Sequence, residues 1–110
     1  MITNPSICHA HVYFDVGMTH VATNVCRRAA EKFSLQMGRV HQKPVGPHSK
    51  PSCQLIIPLP KLETVLPWLD HHRQGLSVLI HSVTGDDLAD HTDGCFWLGT
   101  PHPLKLNIFQ

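Results

Sequence analysis

Between residues 7 and 14 the chain reads ICHAHVYF, in which Cys8, Ala10, Val12 and Phe14 alternate with His9, His11 and Tyr13. A period of two belongs to a strand with unlike faces, so the segment predicts a strand that turns one apolar side to a core and presents imidazoles on the other. After Asp15, Gly17 and Met18, apolar residues recur at Val21, Val25, Ala29 and Phe33 and reach Met37. That spacing predicts an amphipathic helix from Thr19 to Gln36, with Gly38 as its terminator. Arg39 to Gln42 reads as a short extended piece, and the prolines and glycine of KPVGPHSKPS exclude regular structure after it.

CQLIIPL, from Cys53 to Leu59, predicts a further strand whose end Pro58 places at an edge or bulge. Leu62 to Gln74 predicts a second helix, closed by Gly75, with Val65, Leu66 and Leu69 as its buried stripe. Pro67 conflicts with that helix except within its first turns. Leu76 to His81, LSVLIH, is short and dense in branched residues, as a buried strand is. SVTGDDLADHTDG reads as a polar loop or short helical turn, and CFWLG and PLKLNIF supply terminal apolar segments. The order strand, helix, strand, strand, helix, strand predicts an α+β ferredoxin-like βαββαβ sandwich with C-terminal strand additions. Residues 1–110 form a single domain, because a chain of this length builds one core and has no room for a separate cofactor domain.

Composition narrows the function classes. Hydrophobic residues make up 42% and charged residues 15%, enough for a core and unlike a disordered chain. Nine Lys and Arg against eight Asp and Glu give no general attraction to nucleic acid or an anionic membrane. The start, MITNPSICHAH, has neither a basic region nor an apolar run, which predicts no signal peptide, no membrane span and a cytoplasmic protein. Cys8, Cys26, Cys53 and Cys95 form no CxxC pair, and their apolar flanks predict reduced core thiols. The chain has no P-loop, HExxH, GxSxG or glycine-rich nucleotide fingerprint. Ser77 and Ser82 near His81 lack the elbow a hydrolase nucleophile needs, and Arg27, Arg28 and Lys32, with Glu31 among them, read as a solvated helix face.

The unusual residue is histidine, with ten scattered along the chain. His9 and His11 project from one face of the first strand, with α-carbons about 6.5–7 Å apart, so both can reach one metal; they could also simply decorate a wet sheet face. His48 follows Gly46-Pro47, which restricts the backbone and can hold a loop imidazole over the sheet. His81 ends a buried strand just before a polar loop, a frequent place for site residues. His41 and His91 are weaker candidates, while His20, His71, His72 and His102 read as surface groups. Neutral imidazole suits Fe(II), Zn, Cu and Ni alike. Asp15 shares the strand parity of His9 and His11 and could complete the site as a carboxylate, with Glu31 and Asp86 as competitors. Tyr13, Phe96 and Trp97 could wall a pocket, although core packing is favoured for Phe96.

At these residues the chain resembles the DOPA 4,5-dioxygenase family. The matching blocks are His9-Ala10-His11-Val12-Tyr13-Phe14, Gly38-Arg39-Val40-His41, Pro44-Val45-Gly46-Pro47-His48, Leu76-Ser77-Val78-Leu79-Ile80-His81, Thr84-Gly85-Asp86-Asp87, Asp90-His91-Thr92 and Trp97-Leu98-Gly99. They run in family order from residue 9 to residue 99. The resemblance implies an extradiol dioxygenase that opens a catechol ring outside its two hydroxyls with nonheme Fe(II) and O2; another divalent metal such as Zn or Ni can occupy such a site after purification. Carried over by position, the histidine framework is His9, His11, His41, His48, His81 and His91. His11, His48 and His81 are the favoured metal ligands, His9, His41 and His91 the catalytic groups, and Tyr13 and Trp97 the substrate-binding aromatics. Ser49-Lys50-Pro51-Ser52-Cys53 and Ser82 depart from the family pattern of prolines and aromatics, which points to an altered pocket wall. The competing readings are a metal-binding or small-molecule-binding protein without turnover, and a metal-free interaction domain. With both helices on one side, the bare sheet face also predicts a homodimer.

Overall fold

The first strand, β1 (Ile7–Tyr13), is the central member of a five-stranded antiparallel sheet. The computed structural model describes residues 6–110. After β1 come α1 (Thr19–Phe33), β2 (Gln36–His41), β3 (Ser52–Pro58), α2 (Leu59–His72), β4 (Val78–Ser82), a one-turn helix α3 (Asp87–Asp90), β5 (Cys95–Leu98) and a 3-10 turn at Leu106–Phe109. The strand order is β2-β3-β1-β4-β5. This is the predicted βαββαβ sandwich with one strand added at its C-terminal edge. The last apolar segment, PLKLNIF, adds no strand and ends in the 3-10 turn.

Alternation along β1 sets the two sides of the sheet. Ala10 and Val12 have no exposure, and with Cys8 and Phe14 they face α1 and α2. Leu55 and Ile57 of β3 and Val78 and Ile80 of β4 extend that layer, against Val25 and Ala29 of α1 and Val65 and Leu69 of α2. Among the cysteines, Cys8, Cys26 and Cys53 are buried there, Cys95 is half-buried, and none is in a disulfide. No helix among the described residues is long and apolar enough to cross a membrane.

Two boundaries differ from expectation. α1 stops at Phe33 rather than Gln36, because Ser34 takes a left-handed conformation (φ 55°, ψ 52°) and turns the chain back. Gly38 therefore does not end a helix; it lies within β2, where a Cβ would collide with the Gln54 side chain. Met37 does reach the core, but from a strand, which is why it extended the helical spacing. α2 begins at Leu59, placing Pro60 in its first turn and Pro67 in its interior. The helix tolerates Pro67 because Pro67 and Glu63 are both exposed, so the Glu63 carbonyl that loses its partner meets water.

The other sheet face is not left bare. The loop carrying His48 folds over β1, α3 brings His91 over β4, and Phe109 stacks on His91 with ring centroids 4.9 Å apart. A backbone hydrogen bond from Lys105 N–H to the Pro47 carbonyl (2.8 Å) ties the C-terminal segment to that loop. This cover corrects the expectation of a wholly open second face, since the chain shields the β1–β4 part itself.

Replacing Leu69 by alanine is expected to lower unfolding free energy by about 2–5 kcal/mol through a core cavity. Pro67→Ala should raise it, by up to about 3 kcal/mol, by restoring an internal helix bond. Urea unfolding followed by circular dichroism checks both signs.

Candidate metal centre

Sheet register decides which side chains meet. On the covered face, His9 lies directly opposite His81 and His11 opposite Leu79, while across β4 His81 is opposite Cys95 and Leu79 opposite Trp97. On the other flank His11 faces Gln54 and Tyr13 faces Ser52, which in turn faces His41 on β2. One cross-strand pair and the next residue of the same parity therefore bring His9, His11 and His81 together. One ring nitrogen from each of these three lies within 4.8 Å of the other two, and the group contains no carboxylate.

His48 and His91 complete a cluster of five imidazoles. The His48 ring is 4.1 Å from that of His11, the His91 ring 4.3 Å from that of His81, and His48 and His91 are 6.4 Å apart. His11, His48, His81 and His91 are all buried and His9 is half-buried. His41 stands half-buried beyond Ser52, outside the tight cluster.

Hydrogen bonds fix the tautomers. His81 Nδ1–H donates to the Ser82 carbonyl (2.7 Å) and His91 Nδ1–H to the Asp87 carbonyl (2.7 Å), so the neutral rings carry their lone pairs on Nε2. His11 Nε2 is 3.0 Å from His81 Nε2, and in the metal-free protein His11 supplies the hydrogen. That spacing also suits adjacent ligands of one ion, each held at about 2.1 Å. The Tyr13 hydroxyl lies 2.8 Å from His48 Nδ1, leaving His48 Nε2 for another partner.

Crowding and burial favour the neutral form of His9, His11, His48 and His81. Burial holds His11 well below the usual histidine range, and His48, His81, His9 and His91 push the same way. His48 is lowered to about 4, first by burial and then by His91, His81 and His41. His81 is also lowered to about 4 by burial, against the opposing bond to the Ser82 carbonyl. His9 is lowered by burial and by His91, and burial raises the Tyr13 phenol. Neutral nitrogen donors converging from two strands fit a divalent transition metal.

The remaining candidates separate clearly. Tyr13 and Trp97 meet edge to face with centroids 5.1 Å apart, forming an aromatic wall beside the cluster. Phe96 is not part of it; it pairs with Ile80 on the helix side and is 45% exposed. Asp15 is exposed and paired with Lys50 (2.6 Å), Glu31 is exposed on α1, and Asp86 accepts the Ala89 N–H at the start of α3. None of these carboxylates joins the histidines. Ser77 bonds His102 rather than His81, and Ser82 engages His81 through its carbonyl, so no serine nucleophile is paired there.

Three contributors escaped the sequence reading. His102, expected at the surface, is half-buried; it packs on Tyr13 and Trp97 and its Nε2 lies 3.1 Å from the Ser77 hydroxyl. Buried Asp90 accepts both the Thr84 N–H (2.9 Å) and hydroxyl (2.7 Å), fixing the turn that presents His91. Phe109 covers His91. The two tail residues carry no periodic signal, but Thr84 and Asp90 both lie in the matching blocks.

Comparison with known proteins bears on the family and the fold. The model of the "Dopa 4,5-dioxygenase family" matches residues 8–108. A protein of Amanita muscaria named "DOPA 4,5-dioxygenase" is 30% identical over 107 residues, covering 89% of this chain and 47% of that protein. An "Uncharacterized 21.2 kDa protein" of Botryotinia fuckeliana is 28% identical over 115 residues, covering 88% of this chain and 63% of its own length. The chain thus spans about half to two-thirds of these curated relatives. The crystal structure of a "putative dioxygenase" from Nostoc punctiforme superposes with a TM-score of 0.87 at 38% identity, covering 93% of this chain and 89% of that one.

The depressed histidine pKa values have a consequence for stability. Above pH 6.5 these rings are neutral folded or unfolded; below it the unfolded chain takes up protons that the folded cluster refuses. Metal-free protein should therefore lose stability as pH falls from about 6.5 to about 4, with little change from these groups above 7. Urea midpoints across that range test the sign. Asp90→Ala, which strands the Thr84 donors, should cost about 1–3 kcal/mol in the same assay at pH 7.

Proposed function

Because this chain belongs to the Dopa 4,5-dioxygenase family, we propose that it is a nonheme Fe(II) dioxygenase opening a catecholic, 3,4-dihydroxyphenyl substrate beside its two hydroxyls. The observation that carries this reading is the convergence of His9, His11 and His81 with two further imidazoles beside them. His9, His11 and His81 hold the metal, and three protein donors leave coordination positions for other molecules. Fe(II), when bound, supplies the redox chemistry with O2 and the positive charge that favours an ionised catechol hydroxyl.

The remaining residues handle protons and orientation. His91 Nε2 accepts a substrate hydroxyl proton, because its Nδ1–H is engaged by the Asp87 carbonyl, and His48 Nε2 does so in the tautomer whose Nδ1–H donates to the Tyr13 oxygen. Relative to the assignment from sequence, His9 and His48 exchange roles: His48 is held by Tyr13, whereas His9 lies opposite His81. His41 stays an outer catalytic group near His48, whose protonation it disfavours. Tyr13 and Trp97 orient the ring, and Phe109 over His91 excludes water. The protein acts as a homodimer through the part of the face its own chain leaves uncovered, where Gln54 and Ile56 remain half-exposed beside His9.

Anaerobically Fe(II)-loaded protein, given a small catechol panel and then O2, should consume oxygen and yield a product with two added oxygens, a semialdehyde and a carboxylate. A dicarboxylate from cleavage between the hydroxyls would contradict the regiochemistry. No uptake above the free-iron control, with iron occupancy confirmed, would favour a metal-binding protein without turnover. His11→Ala and His81→Ala should lose iron, whereas His91→Gln should keep it and lose about 10²–10⁴-fold in turnover. Light scattering of a monomer at micromolar concentration would remove the dimer.

A further inference from the structure

Beyond β5 the chain runs as a strap across the cover of the histidine cluster. Pro101 and Pro103 restrict the backbone on either side of His102, and that imidazole is rooted among Tyr13, Trp97 and the Ser77 hydroxyl. Free rotation therefore begins beyond Pro103. From there the strap touches both side walls of the site in turn: the Lys105 N–H donates to the Pro47 carbonyl (2.8 Å), next to His48, and the Phe109 ring stacks on His91 with centroids 4.9 Å apart. One short segment thus fastens both the loop that carries His48 and the turn that carries His91.

Its hold is slight. Among the described residues, 103–110 make no strand pairing and no ion pair, and the Lys105 N–H gives their one backbone hydrogen bond to the rest of the molecule. None of residues 101–110 is buried, and Ile108 is 52% exposed. Between the strap and α3 lies an open groove of about 580 Å³, bounded by Asp86, Asp87 and Leu88 on one side and by Ile108 and Phe109 on the other, which leaves room for the Phe109 ring to swing off the imidazole. What lies beneath is held far more firmly: β1 is paired on both edges, and His11, His48, His81 and His91 are buried. A segment with few buried contacts over such a floor opens without the floor unfolding.

Resting on the catechol reading above, we propose that residues 103–110 form a gate: the strap lifts from Pro47 and His91 to admit the aromatic ring to His48 and His91, then closes over it with Phe109 as the latch. Opening releases both walls at once, because one backbone hydrogen bond and one aromatic stack hold the strap to them. Closing returns Phe109 to His91 and keeps water from it. The weak hold is the working property of the strap, since a cover packed as tightly as the core would open only with global unfolding.

Amide hydrogen exchange and binding kinetics test the gate separately from the chemistry. In Zn(II)-loaded protein the Lys105 amide should be protected, yet exchange about 100-fold faster than the amides of β1 and without dependence on low urea, as a local opening does. Phe109→Ala should speed that exchange by up to about tenfold without moving β1, and Phe109→Trp should restore it. Exchange of Lys105 in step with β1, or no protection at all, would overturn the gate. In the second arm, anaerobic Co(II)-loaded protein, whose visible absorption reports ligands on the ion, is mixed rapidly with 4-methylcatechol. The observed rate should level off at high catechol in the wild type, because entry waits on opening, and lose that plateau in Phe109→Ala. A wild-type rate that climbs linearly, or a plateau unmoved by Phe109→Ala, would overturn the gate while leaving catechol binding intact. Failure of 4-methylcatechol to bind would instead remove the catechol reading, and with it the strap's part in admitting a ring.

Discussion

Everything in this molecule depends on keeping β1 in register. It is paired on both sides, and its alternation sends Cys8, Ala10, Val12 and Phe14 into the helices and His9, His11 and Tyr13 to the opposite face. A slip of one residue against β3 or β4 would drive imidazoles into an apolar layer and expose the core residues. Small side chains at Cys8 and Ala10 let the helices pack closely over the centre of the strand. The same constraint that builds the core thus aligns His9 with His81.

Gathering buried imidazoles within a few ångströms is an electrostatic liability, because protonation of one disfavours protonation of the next. The fold resolves it by making the rings neutral and giving defined partners to their nitrogens. His81 and His91 bond backbone carbonyls, and His48 bonds a phenol. No buried side-chain nitrogen or oxygen among the described residues lacks a partner. The resulting cluster offers neutral nitrogen lone pairs to a metal and is rigid enough to orient it.

Much of this architecture was legible in the chain because it rests on short periods. The alternation at residues 7 to 14 gave the central strand and its histidine face, and Leu76 to His81 contained most of β4. Reading failed where one residue served two periodicities: Met37 continued the helical spacing of α1 yet packs from β2, and only the left-handed Ser34 separates the two. Pro67 misled because a proline rule takes no account of a solvent-facing carbonyl. The histidine framework was visible as blocks, but the closeness of His9 to His81 depends on antiparallel register, which no local pattern encodes. His102 and Phe109 lie in a tail without regular spacing, and their place against Tyr13, Trp97 and His91 is wholly tertiary.

The two imidazoles that hydrogen-bond each other come from opposite halves of the chain. His11 and His81 are 70 residues apart, and they meet only when β4 docks against β1. His48 arrives on the intervening loop, and the cover over His91 comes from the last residues of the chain. A growing polypeptide therefore holds these histidines as separate, weak donors, and a transition metal cannot nucleate its folding as it does in a small zinc-finger module. The hydrophobic layer beneath shapes the pocket, and an ion would meet all three donors only once β4 has docked against β1. Such an order protects the nascent chain from capturing the wrong metal through pairs of loose imidazoles. It leaves selection to the finished geometry and to whichever cation the cell offers.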